Sequence, residues 1–205
     1  MTMILSSLEQ CRASIKTGAV LTYGRSRGPG QWIESFTGSD QSHVSTAVAN
    51  GPLLMVAEAI AEGAVIRPLT FNWQKADDVW LLPLGGPLSF ALEERLLAYL
   101  ADIAQRQVPY DLRALMPRVW RNGRPPEDFS RLYCSELVAL GMRHMGLYQG
   151  TVELTPVEVC RLAVYAEDYY CLKWDDAGPK EIEGYNTVDP SGDPFSHLPP
   201  AGAPQ

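Results

Sequence analysis

Asn50-Gly51 stands between two apolar runs, residues 43–49 and 53–60, and constrains this chain more than any other pair of residues. Asn-Gly tolerates the positive φ values that a two-residue hairpin loop needs, so the two runs read as antiparallel strands. If Asn50 and Gly51 form the whole loop, opposed positions sum to 101 and His43 faces Glu58. Directly opposed side chains share a sheet face with Cβ atoms about 5 Å apart, close enough for a carboxylate to hold an imidazole. Pro52 beside the turn leaves a second register open, in which a four-residue loop sets Ser45 opposite Glu58. Leu54, Val56 and Ile60 share the strand face of Glu58. An unpaired carboxylate there would be costly, so a partner for it is expected.

Further strands are expected at 19–23, 65–69, 78–84 and 164–174. Ser89 to Gln107 carries Leu92, Leu96, Tyr99, Leu100 and Ile103 at helical spacing, and Pro109 ends it. Thr155-Pro156-Val157-Glu158 combines a capping box with proline at the first helical position, a strong helix start. Ser7 reads as the cap of a short helix to Ile15, and residues 31–36 as another short helix. Residues 24–30 are a glycine-rich loop. Residues 110–130, with Pro117, Asn122-Gly123, Pro125 and Pro126, form a long connection of the kind that borders binding clefts.

With 205 residues, 46% of them hydrophobic, the chain can bury one sizeable core, and a single domain is expected over residues 1–174. From Asp175 onward Gly, Pro, Asp and Ser dominate, so residues 175–205 read as an acidic, irregular or disordered tail. The net charge of −7 argues against a nucleic-acid partner held through phosphates. Arg113, Arg118, Arg121 and Arg124 are the only basic neighbourhood and read as a solvated loop. The longest apolar run, Pro52 to Ala61, is interrupted by Glu58 and falls short of the roughly 20 residues that span a bilayer, so no integral membrane segment is expected. Met1 to Ser7 has no basic n-region of a signal peptide, which makes the cytoplasm the default location.

Tyr133-Cys134-Ser135-Glu136-Leu137-Val138 places a cysteine at the start of a helix whose apolar stripe runs through Leu137, Val138, Gly141, Met142 and Met145. A thiol there meets the positive end of the helix dipole and unpaired backbone N–H groups, conditions that favour a thiolate and can form part of an oxyanion hole. A nucleophilic Cys134 needs a base and a group to orient that base, roles His43 and Glu58 can fill. The bland alternative is a cysteine buried as a small hydrophobe. That is the expectation for Cys11 and Cys160 in helices and Cys171 in a strand, with no CxxC pair to suggest a disulfide framework. His144 suits the end of its helix, and His197 lies in the tail. Cys134, His43 and Glu58 could also ligate zinc, but the chain has no CxxC or HxxxH spacing, and no metal or other cofactor is expected.

Taken in order, Gly18-Ala19-Val20-Leu21, Thr37-Gly38-Ser39-Asp40-Gln41-Ser42-His43-Val44, Val56-Ala57-Glu58-Ala59, Pro109-Tyr110-Asp111 and the Cys134 motif resemble the circularly permuted NlpC-type papain-like cysteine hydrolases, the YiiX-like branch. The resemblance covers roughly residues 18–172. Its most specific feature is a histidine strand that precedes the cysteine helix. It implies an α+β, permuted papain-like fold, with a small antiparallel sheet or half-barrel packed against helices. It also implies Cys134 as nucleophile, His43 as general base and Glu58 as orienter. The Cys134 backbone N–H would join an oxyanion hole, with Tyr110 a candidate substrate-side donor. Ser45 stands where the family often has glycine, two residues after the histidine. Cys-Ser-Glu replaces the Asn-Cys-Glu-His of the lipid acyltransferase relatives, which weakens the case for lipid acyl transfer.

The implied activity is thiol-dependent cleavage of an amide bond in a peptide or cell-wall peptide. The resemblance also permits a lipid or thioester acyl hydrolase or transferase. A cytoplasmic enzyme would reach a cell wall if encoded by a phage or delivered by a secretion apparatus. The competing class is a non-enzymatic structural or interaction protein that keeps the fold. Nothing in the sequence gives the oligomeric state.

Overall fold

The computed structural model describes residues 2–7, 14–24, 41–50, 53–69, 78–111, 129–166 and 168–173. In chain order the strands and helices are β1 (Thr2–Ser7), β2 (Val20–Gly24), β3 (Gln41–Asn50), β4 (Leu53–Ile60), β5 (Gly63–Pro68), β6 (Asp78–Leu82), α1 (Phe90–Gln105), α2 (Cys134–His144), α3 (Pro156–Cys160) and β7 (Asp168–Lys173). The strands form one sheet in the order β1-β7-β6-β2-β3-β4-β5. Only β1 and β7 run parallel; every other neighbouring pair is antiparallel. The architecture is α+β, an antiparallel sheet packed against helices.

Strand periodicity explains how both sheet faces are filled. Val20, Val44, Val48, Ala57, Trp80 and Leu82 meet Leu96, Leu100, Leu137, Val138, Met142 and Val159 of the helices in one buried cluster. The alternate positions Leu21, Ala47, Val56, Val79, Leu81 and Leu172 form a second cluster with Ile15 and Leu69. β2 is buried along its whole length because it lies between β3 and β6 and contributes to both clusters.

Local chemistry sets the helix ends. Ser89 caps α1 by accepting the Leu92 N–H at 3.4 Å, and the stripe of Leu96, Leu100 and Ile103 is buried. At α3 the reciprocal capping box forms: Thr155 Oγ1 accepts the Glu158 N–H at 3.3 Å, and the Glu158 carboxylate accepts the Thr155 N–H at 2.6 Å. Pro156 occupies the first helical position. Gly63, at φ 111°, turns the chain from β4 into β5, where an added Cβ would lie 3.0 Å from the Val108 carbonyl oxygen.

The hairpin exists, but the expected register between His43 and Glu58 is corrected. Paired positions of β3 and β4 run from Thr46 with Ala57 to Asn50 with Leu53, so opposed numbers sum to 103, the second register that Pro52 left open, rather than 101. Proline supplies the reason. The expected register would place Pro52 in the ladder opposite Ala49, and proline has no N–H to donate there.

Ser7 is likewise not a helix cap but the last residue of β1, a strand the sequence pattern did not suggest. The closing strand begins at Asp168 rather than 164; before it, Tyr165 makes an isolated bridge to Leu84. The expected helix at 31–36, most of the 24–30 and 110–130 loops, the 175–205 tail, Cys11, His197 and the Cys171 side chain lie outside the described residues. Among the described residues, no helix is long and apolar enough to cross a membrane.

Leu100 is 1% exposed in the cluster between α1 and the sheet. Leu100→Ala should therefore lower the free energy of unfolding in urea by roughly 2–5 kcal/mol, the usual cost of emptying such a site.

Candidate active site

The 103 register still brings His43 and Glu58 together, by a diagonal route. Extending it by one residue aligns Ser45 with Glu58, and His43 lies two positions further along the same strand face. Diagonal neighbours are within reach of long side chains. Glu58 is fully buried, and its Oε2 accepts a hydrogen bond from His43 Nε2 at 2.6 Å. Its other oxygen, Oε1, accepts from Nε of Arg67. The strand pairing accounts for that second contact. Val65 of β5 pairs with Glu58, and Arg67 projects from the same face two residues on. The carboxylate that was expected to need a partner is paired with His43 and Arg67.

The imidazole is also held from β2. The Tyr23 ring lies 5.6 Å from the His43 ring, tilted by 33°. The Tyr23 hydroxyl is hydrogen-bonded to Ser45 Oγ at 2.9 Å. Ser45 thus anchors the tyrosine that flanks the imidazole, which gives the hydroxyl a place where a glycine would supply none.

Cys134 is the first residue of α2, whose N-cap is Tyr133. Two contacts fix this helix start. The Glu136 carboxylate reaches back to the Tyr133 N–H at 3.3 Å, and the Ser135 hydroxyl donates to the Leu154 carbonyl just before α3. Glu136 therefore serves the helix start. Cys134 is 2% exposed, and its thiol lies close enough to His43 to act on the imidazole's ionisation. Since Glu58 engages Nε2, Nδ1 is the ring nitrogen left for the sulfur.

Withdrawal from water pulls the His43 pKa down. Hydrogen bonds with Cys134 and Glu58, together with their negative charges, outweigh it and push the imidazole up from 6.5 to about 10. Tyr110 is tied to this corner by a bridge to Leu132, two residues before the cysteine. Burial, and then the charge of Cys134, hold its hydroxyl well above the ordinary tyrosine range, so it remains a hydrogen-bond donor. The four residues singled out from sequence, Cys134, His43, Glu58 and Tyr110, thus fall in one neighbourhood.

The other titratable candidates lie elsewhere. Cys160 is buried, donates to the Pro156 carbonyl at 3.2 Å, and is pushed up by burial to about 12, the condition of an inert thiol. His144 stacks on Tyr99 with ring centroids 5.1 Å apart. Sequence reasoning missed Arg67 and Tyr23. The signal for Arg67 was a cation in an otherwise apolar strand run, one tight turn after the strand that carries a buried glutamate.

No protein-family model and no curated protein matches the chain. Among solved structures its fold is that of a YiiX-like protein. The chain is similar to the metalloprotein YiiX from Escherichia coli O157:H7, with a TM-score of 0.53 and 21% identity over 64% of this chain and 67% of that one.

The raised imidazole has a consequence for stability. A histidine whose folded pKa exceeds its unfolded value contributes stability in full below the unfolded pKa and loses it as pH rises through the folded one. Wild type should therefore be more stable than His43→Ala to urea at pH 6, with the gap narrowing between pH 6.5 and about 10. A gap that stayed constant or widened over that range would contradict the assigned ion pair.

Proposed function

We propose that the protein is a thiol-dependent hydrolase of an amide bond in a peptide or cell-wall peptide, on a permuted papain-like fold. The observation that carries this reading is the His43–Glu58 hydrogen bond with Cys134 beside the same imidazole. The Cys134 thiolate attacks the carbonyl carbon and forms a C–S bond, while negative charge gathers on the carbonyl oxygen. The Cys134 N–H, one of the first-turn amides that a helix leaves without an i−4 carbonyl, and the Tyr110 hydroxyl are the donors for that oxygen. The His43 imidazolium passes its proton to the leaving nitrogen, the C–N bond breaks, and the amine departs. Neutral His43 then takes a proton from water as its oxygen attacks the acyl carbon. Breaking the C–S bond releases the acid and restores the thiolate–imidazolium pair. Glu58 holds the imidazole in the orientation that both steps use.

The reading routes no step through a metal, although the similar YiiX is a metalloprotein. Among the described residues, no group of three or more His, Cys, Asp or Glu side chains is placed to hold a metal ion. The two Glu58 oxygens are engaged by His43 and Arg67.

Iodoacetamide labelling with peptide mapping tests the proposal. At pH 6, Cys134 should alkylate while the native protein's Cys160 does not. His43→Ala should slow Cys134 labelling by on the order of tenfold or more, because the imidazolium that stabilises the thiolate is gone. Labelling of Cys134 that is indifferent to His43 would sink the hydrolase reading and favour a protein that keeps the fold without the chemistry.

A further inference from the structure

We propose that Arg67 is a positioning residue for the reaction, the standing counter-ion that faces Glu58 while His43 gains and loses its proton. The inference rests on the thiol-hydrolase reading and adds a residue to it. Glu58 is fully buried, with one oxygen toward His43 Nε2 at 2.6 Å and the other toward Arg67 Nε. Arg67 is only partly buried, with 21% of its side chain exposed, so its far end keeps contact with water while Nε meets the carboxylate.

Among the described residues, the charged and titratable groups around the imidazole are Cys134 from α2, Glu58 from β4, Tyr23 from β2 and, through Glu58, Arg67 from β5. Tyr110 faces Cys134. A guanidinium does not deprotonate in proteins, whereas the imidazole must do so in every turnover. When the imidazolium gives its proton to the leaving amine, Glu58 without Arg67 would lose a cation that faces it inside the protein. That prospect would hold the proton on the ring. With Arg67 in place, Glu58 has a cationic partner in both states, and the proton can leave.

Deacylation after reaction with p-nitrophenyl acetate isolates this effect. In the acetyl-enzyme the sulfur is a neutral thioester, so His43 is governed by Glu58 and Arg67. Neutral Nδ1 takes a proton from water, the water oxygen bonds to the acetyl carbon, and the C–S bond breaks. Acetic acid leaves, and the thiolate–imidazolium pair returns. Removing a fixed positive charge stabilises the imidazolium. Arg67→Gln should therefore move the acid limb of the deacylation rate to higher pH by roughly one unit. Within that limb the rate should fall about tenfold, while the nitrophenol burst persists.

An unmoved limb, or one displaced to lower pH, would overturn the proposal, because a bystander or a merely structural arginine gives that result. Should the glutamine variant fail to fold, Arg67→Lys reads the same quantity: a limb that stays in place supports a charge role, and a displaced one overturns it. A wild-type protein with no burst and no acetyl group on Cys134 would instead overturn the hydrolase reading, and this proposal with it.

Discussion

A buried carboxylate paired with His43 and Arg67 holds the candidate site together. Glu58 has no exposed surface and lies on a strand face whose other residues are apolar, so its charge is tolerable only if paired. His43 and Arg67 supply that pairing from the strands on either side, β3 and β5. Three neighbouring strands are thereby pinned at the end of the sheet where the imidazole meets Cys134. Because the contact is diagonal across β3 and β4, it depends on the hairpin register. A one-residue slip would turn His43 or Glu58 to the opposite face.

Cys134 reaches this ion cluster by a different kind of order. Helix α2 begins at the cysteine, and its start is fixed by the Glu136 carboxylate on the Tyr133 N–H and by the Ser135 hydroxyl on the Leu154 carbonyl. Leu137, Val138 and Met142 bury the same helix against the sheet. The sulfur is therefore placed by the packing of a whole helix rather than by a loop, the more precise way to hold a nucleophile against its base. The contrast with Cys160 is instructive. That thiol is equally buried, but it donates to a carbonyl of its own helix, and burial dominates its ionisation.

Much of this was legible in the sequence, though not always for the right reason. The α1 and α2 spans follow from apolar spacing, and α3 from its capping box, all short-range signals. The hairpin followed from Asn50-Gly51, and its observed register was the second one left open by Pro52, whose missing N–H disfavours the first. The His43–Glu58 contact was expected from direct opposition and arises instead from a diagonal. Arg67 and Tyr23 were invisible for a related reason. Each meets the site from a strand whose alignment with its neighbours is a tertiary property. The parallel pairing of β1 with β7 joins opposite ends of the described chain, and no local pattern announces it.

The most direct measurement is the ultraviolet thiolate absorbance of the native protein at neutral pH, taken as the difference between wild type and Cys134→Ser. If His43 sits as an imidazolium between Cys134 and Glu58, a thiolate signal is present at pH 7 and disappears in His43→Ala. A wild-type protein with no thiolate signal at pH 7, or one whose signal survives His43→Ala unchanged, would contradict the account.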